Sequence, residues 1–204
     1  MLPIRTLWNV QSFITVLVGL TAVTGDKILS LDGLNSLQRA FVDSCTHGLI
    51  GLLTWLVVAL PSKHPLISKI YEVFLCGFLS SLIDFDHFIA AKSFNLKDAV
   101  GLNSRPFLHC TSVPLTICVV VIVLSHVLGW STLVRIPWLV LAALLSHHIR
   151  DGTRRGLWMW PFGSTPAIPY SLYVGATMAL PHIIGLVLPP TQHGIEYHIL
   201  PAVV

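Results

Sequence analysis

The sequence predicts an all-α fold, a polytopic transmembrane bundle of about six helices, on three observations. Hydrophobic residues fill 54% of the 204 positions and charged ones only 10%, against roughly 25% charged residues in a soluble domain. Mean hydropathy is +0.78. The apolar residues also fall into six runs separated by short segments rich in Pro, Gly and charge, most of them near the roughly 20 residues that cross a bilayer as a helix. That length leaves no space for a separate soluble unit, so residues 1–204 are expected to form one multi-pass domain whose main partner is the lipid bilayer. The net charge of +3 is small and spread over loops, which predicts no nucleic-acid partner.

The first run, Leu7 to about Thr24, lies between Arg5 and Gly25-Asp26-Lys27 and reads as a retained helix, because the stretch from Ala22 to Gly25 resembles a signal cleavage site only loosely. The second, Phe41 to Leu60, stops at Pro61 and carries Asp43 and His47 on one face, four residues apart. The third, about Ile67 to Ala91, ends in Asp84-Phe85-Asp86-His87. Asp84 and His87 are three apart and converge on a helix, whereas Asp86 points elsewhere unless the helix unwinds there. The fourth begins near His109 and runs to about Trp130. The fifth, Ile136 to Ile149, is only about 14 residues and predicts a short, tilted or partly re-entrant helix. The sixth, Tyr170 to Leu188, is expected to break at Pro181-His182. Cys45, Cys76, Cys110 and Cys118 form no C-x-x-C pair and read as small core residues.

The polar residues are not scattered along these runs. At the end of the fifth, His147 and His148 lie four and three residues before Asp151, so an imidazole and the carboxylate share a helix face. Six helices of alternating direction place Asp43 and His47, then Asp84, Asp86 and His87, then His109, then His147, His148 and Asp151, at one depth on one side. Glu72 and His126 fall near the opposite surface. A carboxylate inside a spanning segment costs about 3 kcal/mol, less near the ends, and is tolerated where it is paired, hydrated or bound to a cation. The imidazoles and carboxylates exceed the three or four protein ligands that one zinc usually takes. They predict either a two-metal site or one metal with orienting carboxylates around it. Nitrogen and oxygen ligands together fit Zn, with Mn or Fe(II) as alternatives.

Arg105, Arg150, Arg154 and Arg155 fall on the same side, and guanidinium groups suit phosphate. The same cations carry an orientation. Eight Lys and Arg lie on the site side (Lys27, Arg39, Lys92, Lys97, Arg105, Arg150, Arg154, Arg155) and four opposite (Arg5, Lys63, Lys69, Arg135), which points the site toward the cytosol. Trp158 and Trp160 read as interfacial anchors.

The order His, then Asp84-Phe85-Asp86-His87, then a basic segment ending in His109, then His147-x3-Asp151 followed by Gly and Pro, resembles the YdjM-like family of membrane-bound metal-dependent hydrolases, a family distantly related to zinc-dependent phospholipase C. The resemblance spans most of the chain from Asp43 to His182. It implies His47, Asp84, Asp86, His87, His109, His147 and Asp151 as metal ligands. Two departures stand out. The family's H-R-G-x-T-H-S is Ser104-Arg105-Pro106-Phe107-Leu108-His109-Cys110 here, so its first histidine is a serine, and its D-x-x-T is shortened to Asp151-Gly152-Thr153.

An enzyme built on this pattern would be a metal-dependent hydrolase of a phospholipid or other phosphoester, with Asp84, Asp86 or His148 moving the proton and the four arginines binding phosphate. The alternative is a non-catalytic structural or binding protein that keeps a metal or a hydrogen-bonded His/Asp cluster. A transport path would need polar groups through the whole thickness, and beyond the cluster only His126 and His182 are available. The H-x3-H and H-x2-H-H boxes of membrane di-iron oxygenases are absent.

Overall fold

The computed structural model describes residues 4–129 and 135–188, and every long element in it is a helix. Helix α1 runs from Ile4 to Leu29, α2 from Ser36 to Ala59 and α3 from Leu66 to Leu82. After a 3-10 turn at Ile83–Phe85, α3 resumes as α4, Asp86–Ala91, and short α5 covers Leu96–Val100. Then come α6, Ser112–Val127, α7, Arg135–Arg155, and α8, Tyr170–Val187. The starts have local causes. Asn35 caps α2 by accepting from the Gln38 amide while the Gln38 side chain accepts from the Asn35 amide. Pro65 and Pro169 precede α3 and α8, where no intrahelical amide partner is needed. Lys92, in the left-handed region at φ 50°, ends α4.

Among the described residues four helical stretches are long and apolar enough to cross a membrane: Arg5–Leu29, Ser36–Ala59, Leu66–Ala91 and Tyr170–Val187. Phe13, Leu20, Phe74, Phe78, Ile183 and Leu186 are exposed on them, as a lipid-facing surface requires. The protein is an integral membrane helical bundle.

Two expectations about single helices are corrected. The fifth run is not short: α7 spans 21 residues. Its helix continues past the apolar run because Ser146, His147, His148 and Arg150 are themselves buried among neighbouring helices, and counting only apolar positions misses that. The shorter element is α6, with 16 residues, and the expected end near Trp130 lies outside the described residues. The sixth run does not break either. Pro181 sits inside α8 and is buried, a position that a helix in a membrane tolerates when its neighbours repack around it.

Helix α2 is central and packs against α1, α3, α7 and α8, while α6 leans on α7. Trp55, Val58, Cys76, Leu139, Ala142 and Leu180 form the main core between α2, α3, α7 and α8. At the end away from the His/Asp residues, Arg135 of α7 pairs with Glu72 of α3 (2.7 Å), and the Trp55 indole N–H donates to the same carboxylate (3.0 Å). Lipid tails offer no hydrophobic gain for helix association, so close backbone approach has to supply the packing. It does so where α2 meets α3. A Cβ on Gly77 would lie 2.9 Å from the Gly48 carbonyl oxygen and 2.9 Å from Leu52 Cβ.

Gly77→Ala therefore overpacks this crossing and should cost about 1–3 kcal/mol, although alanine is the better helix former by about 1 kcal/mol. Gly175→Ala on α8, with nothing within 4 Å of its Cβ, should leave stability unchanged or raise it. Thermal unfolding of both variants in one detergent checks the contrast.

Candidate metal centre

The site forms where α2, the α3–α4 junction, α7 and the segment before α6 meet. Each contributes for a local reason. At Ile83–Phe85 the third span tightens to 3-10 geometry. That narrows the angle between Asp84 and Asp86 from about 160° on an α-helix to about 120°. Both carboxylates thus reach the same side, the unwinding that Asp86 needed. His109 closes a second 3-10 turn, Phe107–His109. Its segment is fastened to the loop after α7: the Thr111 amide donates to the Trp158 carbonyl (2.7 Å), the Ser112 hydroxyl donates to the Trp160 carbonyl (2.7 Å), and Arg105 donates to the carbonyls of Gly156 and Arg155. Gly156, at φ 69°, lies against the Thr165 carbonyl where no side chain fits.

Four side-chain atoms from three of these elements meet at one point. His109 Nε2 lies 3.4 Å from Asp84 Oδ1, 3.3 Å from Asp151 Oδ2 and 3.4 Å from His147 Nε2. His147 Nε2 lies 3.6 Å from Asp84 Oδ1 and 3.4 Å from Asp151 Oδ2. A tetrahedron of ligands at zinc bond lengths of about 2.0–2.2 Å has edges of about 3.3–3.6 Å. Five of the six edges, all but the one between the two carboxylates, fall on that range.

His147 presents a lone pair to this point, and His109 turns its Nε2 toward it. His147 Nδ1 lies 2.8 Å from the Ser80 carbonyl oxygen. A carbonyl can only accept, so Nδ1 carries the proton and Nε2 of the neutral ring is bare. His109 Nδ1 faces Asp86, 3.2 Å from Oδ1 and 3.4 Å from Oδ2, and the Leu108 amide donates to Asp86 Oδ2 at 2.6 Å. Asp86 thus orients His109 from behind, in the carboxylate–histidine arrangement common around bound metals. Burial would lower the His109 pKa, but hydrogen bonds with Asp151, Asp84 and Asp86 carry it up to about 11.

The remaining residues expected at the site stand around these four, and Asp84, His87 and His109 also offer ligand atoms within 4.8 Å of one another. His47, Asp84, His147 and Asp151 each offer an atom within 4.8 Å of the others, but His47 Nε2 accepts from Arg150 Nη1 at 2.9 Å. A permanent cation already holds that lone pair, and His47 stacks on His147 (3.8 Å between ring centres) with its Nε2 3.4 Å from Asp151 Oδ1. His87 stands at the rim, its Nδ1 3.3 Å from Asp86 Oδ1 and its ring edge-on to His109. The His148 Nε2–H donates to the Leu108 carbonyl (2.9 Å), which turns the ring away from the tetrad and leaves Nδ1 as its acceptor.

The arginines divide in the same way. Arg150 is 1% exposed. Its guanidinium donates to Asp26 Oδ1 (3.1 Å) and to Asp43 Oδ1 (2.6 Å) as well as to His47, so it ties α1, α2 and α7 together and is not open to phosphate. Arg154 makes a two-pronged pair with Asp43 at 3.0 and 2.7 Å. A cavity of about 260 Å³ opens beside the tetrad, lined by Asp84, His148 and Asp151 on one side and by Ser104, Arg105 and Arg155 on the other. Burial and the like charge of Arg155 lower the Arg105 pKa. Sequence reasoning missed Asp26 and Ser80. Asp26 had a signal, since it ends α1 on the same side as the cluster. Ser80 had none, because it acts through its carbonyl.

The unfolded chain releases the His109 proton near 6.5 and the folded chain near 11. A raised pKa stabilises the fold fully below about 6.5, and the contribution is lost as pH rises toward 11. With chelator present, the thermal midpoint should therefore fall from pH 7 to pH 10, and that slope should flatten in His109→Ala.

Comparison with known proteins gives one consistent match. The chain is 41% identical over 178 residues to transmembrane protein 267 of Mus musculus, covering 84% of this chain and 80% of the mouse protein. It is 42% identical over 156 residues to the protein of that name from Danio rerio, covering 74% and 67%. The Xenopus laevis protein is 35% identical over 207 residues and covers 95% and 94%. No family model matches the chain, so the likeness to membrane-bound metal-dependent hydrolases rests on its motifs. No solved structure matches either. On these relatives, alike over most of both chains, the chain belongs to the transmembrane protein 267 family.

Proposed function

We propose that this protein is a metal-dependent hydrolase of a phosphoester, working at one face of the membrane with a single divalent cation held by Asp84, His109, His147 and Asp151. The observation that carries the reading is the set of five ligand-to-ligand distances between 3.3 and 3.6 Å. Two nitrogen and two oxygen donors suit Zn, with Mn or Fe(II) as alternatives. One cation is favoured over two because Arg150 takes the His47 lone pair. When bound, the cation would supply Lewis-acid polarisation of a phosphoryl oxygen and a nucleophile at neutral pH.

The chain's own groups have separable tasks in this reading. Asp86 holds the His109 proton on Nδ1, and the Ser80 carbonyl does the same for His147. His148 lines the cavity, and its Nδ1, buried and without a hydrogen-bond partner among the described residues, is the acceptor it holds ready for a proton. Arg155 and the remaining guanidinium hydrogens of Arg105 and Arg154 balance an anionic substrate in the cavity. The excess of Lys and Arg on this side turns the cavity toward the cytosol. Ser104, in the cavity wall where the hydrolase motif has a histidine, favours a second reading in which the cation is kept for stability alone.

Elemental analysis of the detergent-purified protein should give one equivalent of Zn, Mn or Fe, lost in the Asp84→Asn/His109→Ala double variant. Asp86→Asn, which loosens His109, should weaken metal binding about 10–100-fold. Phosphoester turnover that disappears in His148→Ala while the metal stays separates the catalytic from the structural reading. A wild-type protein without metal would overturn both.

A further inference from the structure

The cavity beside the tetrad does not end at its polar walls. Asp43, Asp84, His87, Ala99 and Val100 border both it and a second cavity of about 390 Å³ that runs outward between α2, α3 and α5. The lining changes along the way. The first cavity has Arg105, Arg154 and Arg155 in its walls, whereas the second is walled by Phe78, Leu82, Phe85, Phe88 and Leu96. The polar groups inside the groove are occupied: the Ser44 and Ser81 hydroxyls share a hydrogen bond, and Ser81 also lies 3.1 Å from the Ser44 carbonyl.

The groove is open on the side that faces lipid, where Phe78 is 61% and Phe85 45% exposed. Phe78 lies six residues before Asp84 in the same span, hence about 9 Å deeper in the bundle at 1.5 Å per residue. A chamber lined by arginines and aspartates at the helix ends is therefore continuous with an apolar channel descending along the span. That sequence of environments is the one a membrane lipid meets from head group to tail. A water-soluble phosphoester would leave the apolar arm unfilled, and a purely apolar molecule would make no use of the exposed Arg155 in the chamber wall.

We infer that the ligand of this site is a membrane lipid with a phosphate-bearing head group, entering sideways from the bilayer with its hydrocarbon chain in the groove between α2, α3 and α5. The assignment rests on the proposed phosphoester chemistry for the meaning of the head-group chamber, and on the apolar groove for the tail. Ala40 on α2 and Leu96 on α5 line the groove without touching the tetrad, so they are the positions at which to close it.

The test uses the full chain in phosphatidylcholine nanodiscs containing a little phosphatidic acid with a photoreactive diazirine in its tail, with cross-links mapped by mass spectrometry. Labels should concentrate on groove residues of α2, α3 and α4, and Ala40→Trp should reduce them about tenfold. Leu96→Trp should do the same from the other wall, and Val121→Trp on the exposed face of α6 should not. Monodispersity and an unchanged thermal midpoint show that the variants are folded. Unlabelled phosphatidic acid should compete, whereas diacylglycerol and glycerol phosphate at the same concentration should not. Labels spread evenly over α1, α6 and α8 and unmoved by both groove variants would overturn the inference, as would equal competition by diacylglycerol or glycerol phosphate. Metal content is read on the same samples, so an overturned groove with metal retained removes the lipid assignment and leaves the proposed chemistry intact.

Discussion

The charge that Asp26, Asp43, Asp84, Asp86 and Asp151 bring to one end of the helical bundle is the constraint to which the other features answer. Carboxylates this close repel, and in or near a membrane each needs a counterpart. The bundle answers in two ways. Asp26 and Asp43 are neutralised permanently, by Arg150 and Arg154. Asp84, Asp86 and Asp151 face histidines, whose charge is conditional, although Asp151 also lies 3.6 Å from Arg154. A permanent pair holds helices together whatever the conditions, while a carboxylate opposite an imidazole can exchange its proton-bearing partner for another cation. His47 stands on the boundary, with one ring stacked on the conditional half and its lone pair held by the permanent one.

This division shapes the fold. Helix α7 has to run on through His147, His148, Arg150 and Asp151 because they serve both halves, and its hydrogen-bonded backbone carries these polar side chains into the bundle without unpaired amides. The loop after it has to return across the segment bearing His109, since that histidine has no helix of its own to hold it. At the far end the Glu72, Arg135 and Trp55 contacts fasten α2, α3 and α7, so the helices that deliver the site are held at both ends.

Much of this can be read from residues alone, and the limits are physical. Helix direction alternates in a bundle, so the side on which Asp84, His109 and His147 fall follows from counting spans. Spacing then pairs His147 with Asp151 four residues on. Pattern reading fails where a residue's role depends on a partner distant in sequence. Arg150 reads as a phosphate ligand from its neighbours, and becomes a buried tie only when Asp26 and Asp43 are seen around it. His148 is one residue from His147 and points another way, to a backbone carbonyl that no side-chain pattern reveals. The length of α7 is hidden for the same reason: its buried polar turns look like a loop until their partners are known.

Asp84, His109, His147 and Asp151 are proposed to hold one cation in four-coordinate geometry. The most direct test replaces the native metal with Co(II) in the purified protein and records its visible absorption, which is intense for tetrahedral and weak for octahedral coordination. The account predicts intense tetrahedral bands that collapse in Asp151→Asn. A weak octahedral spectrum, identical in the unsubstituted protein and in Asp151→Asn, would contradict it and leave the histidines as hydrogen-bonding partners of the aspartates.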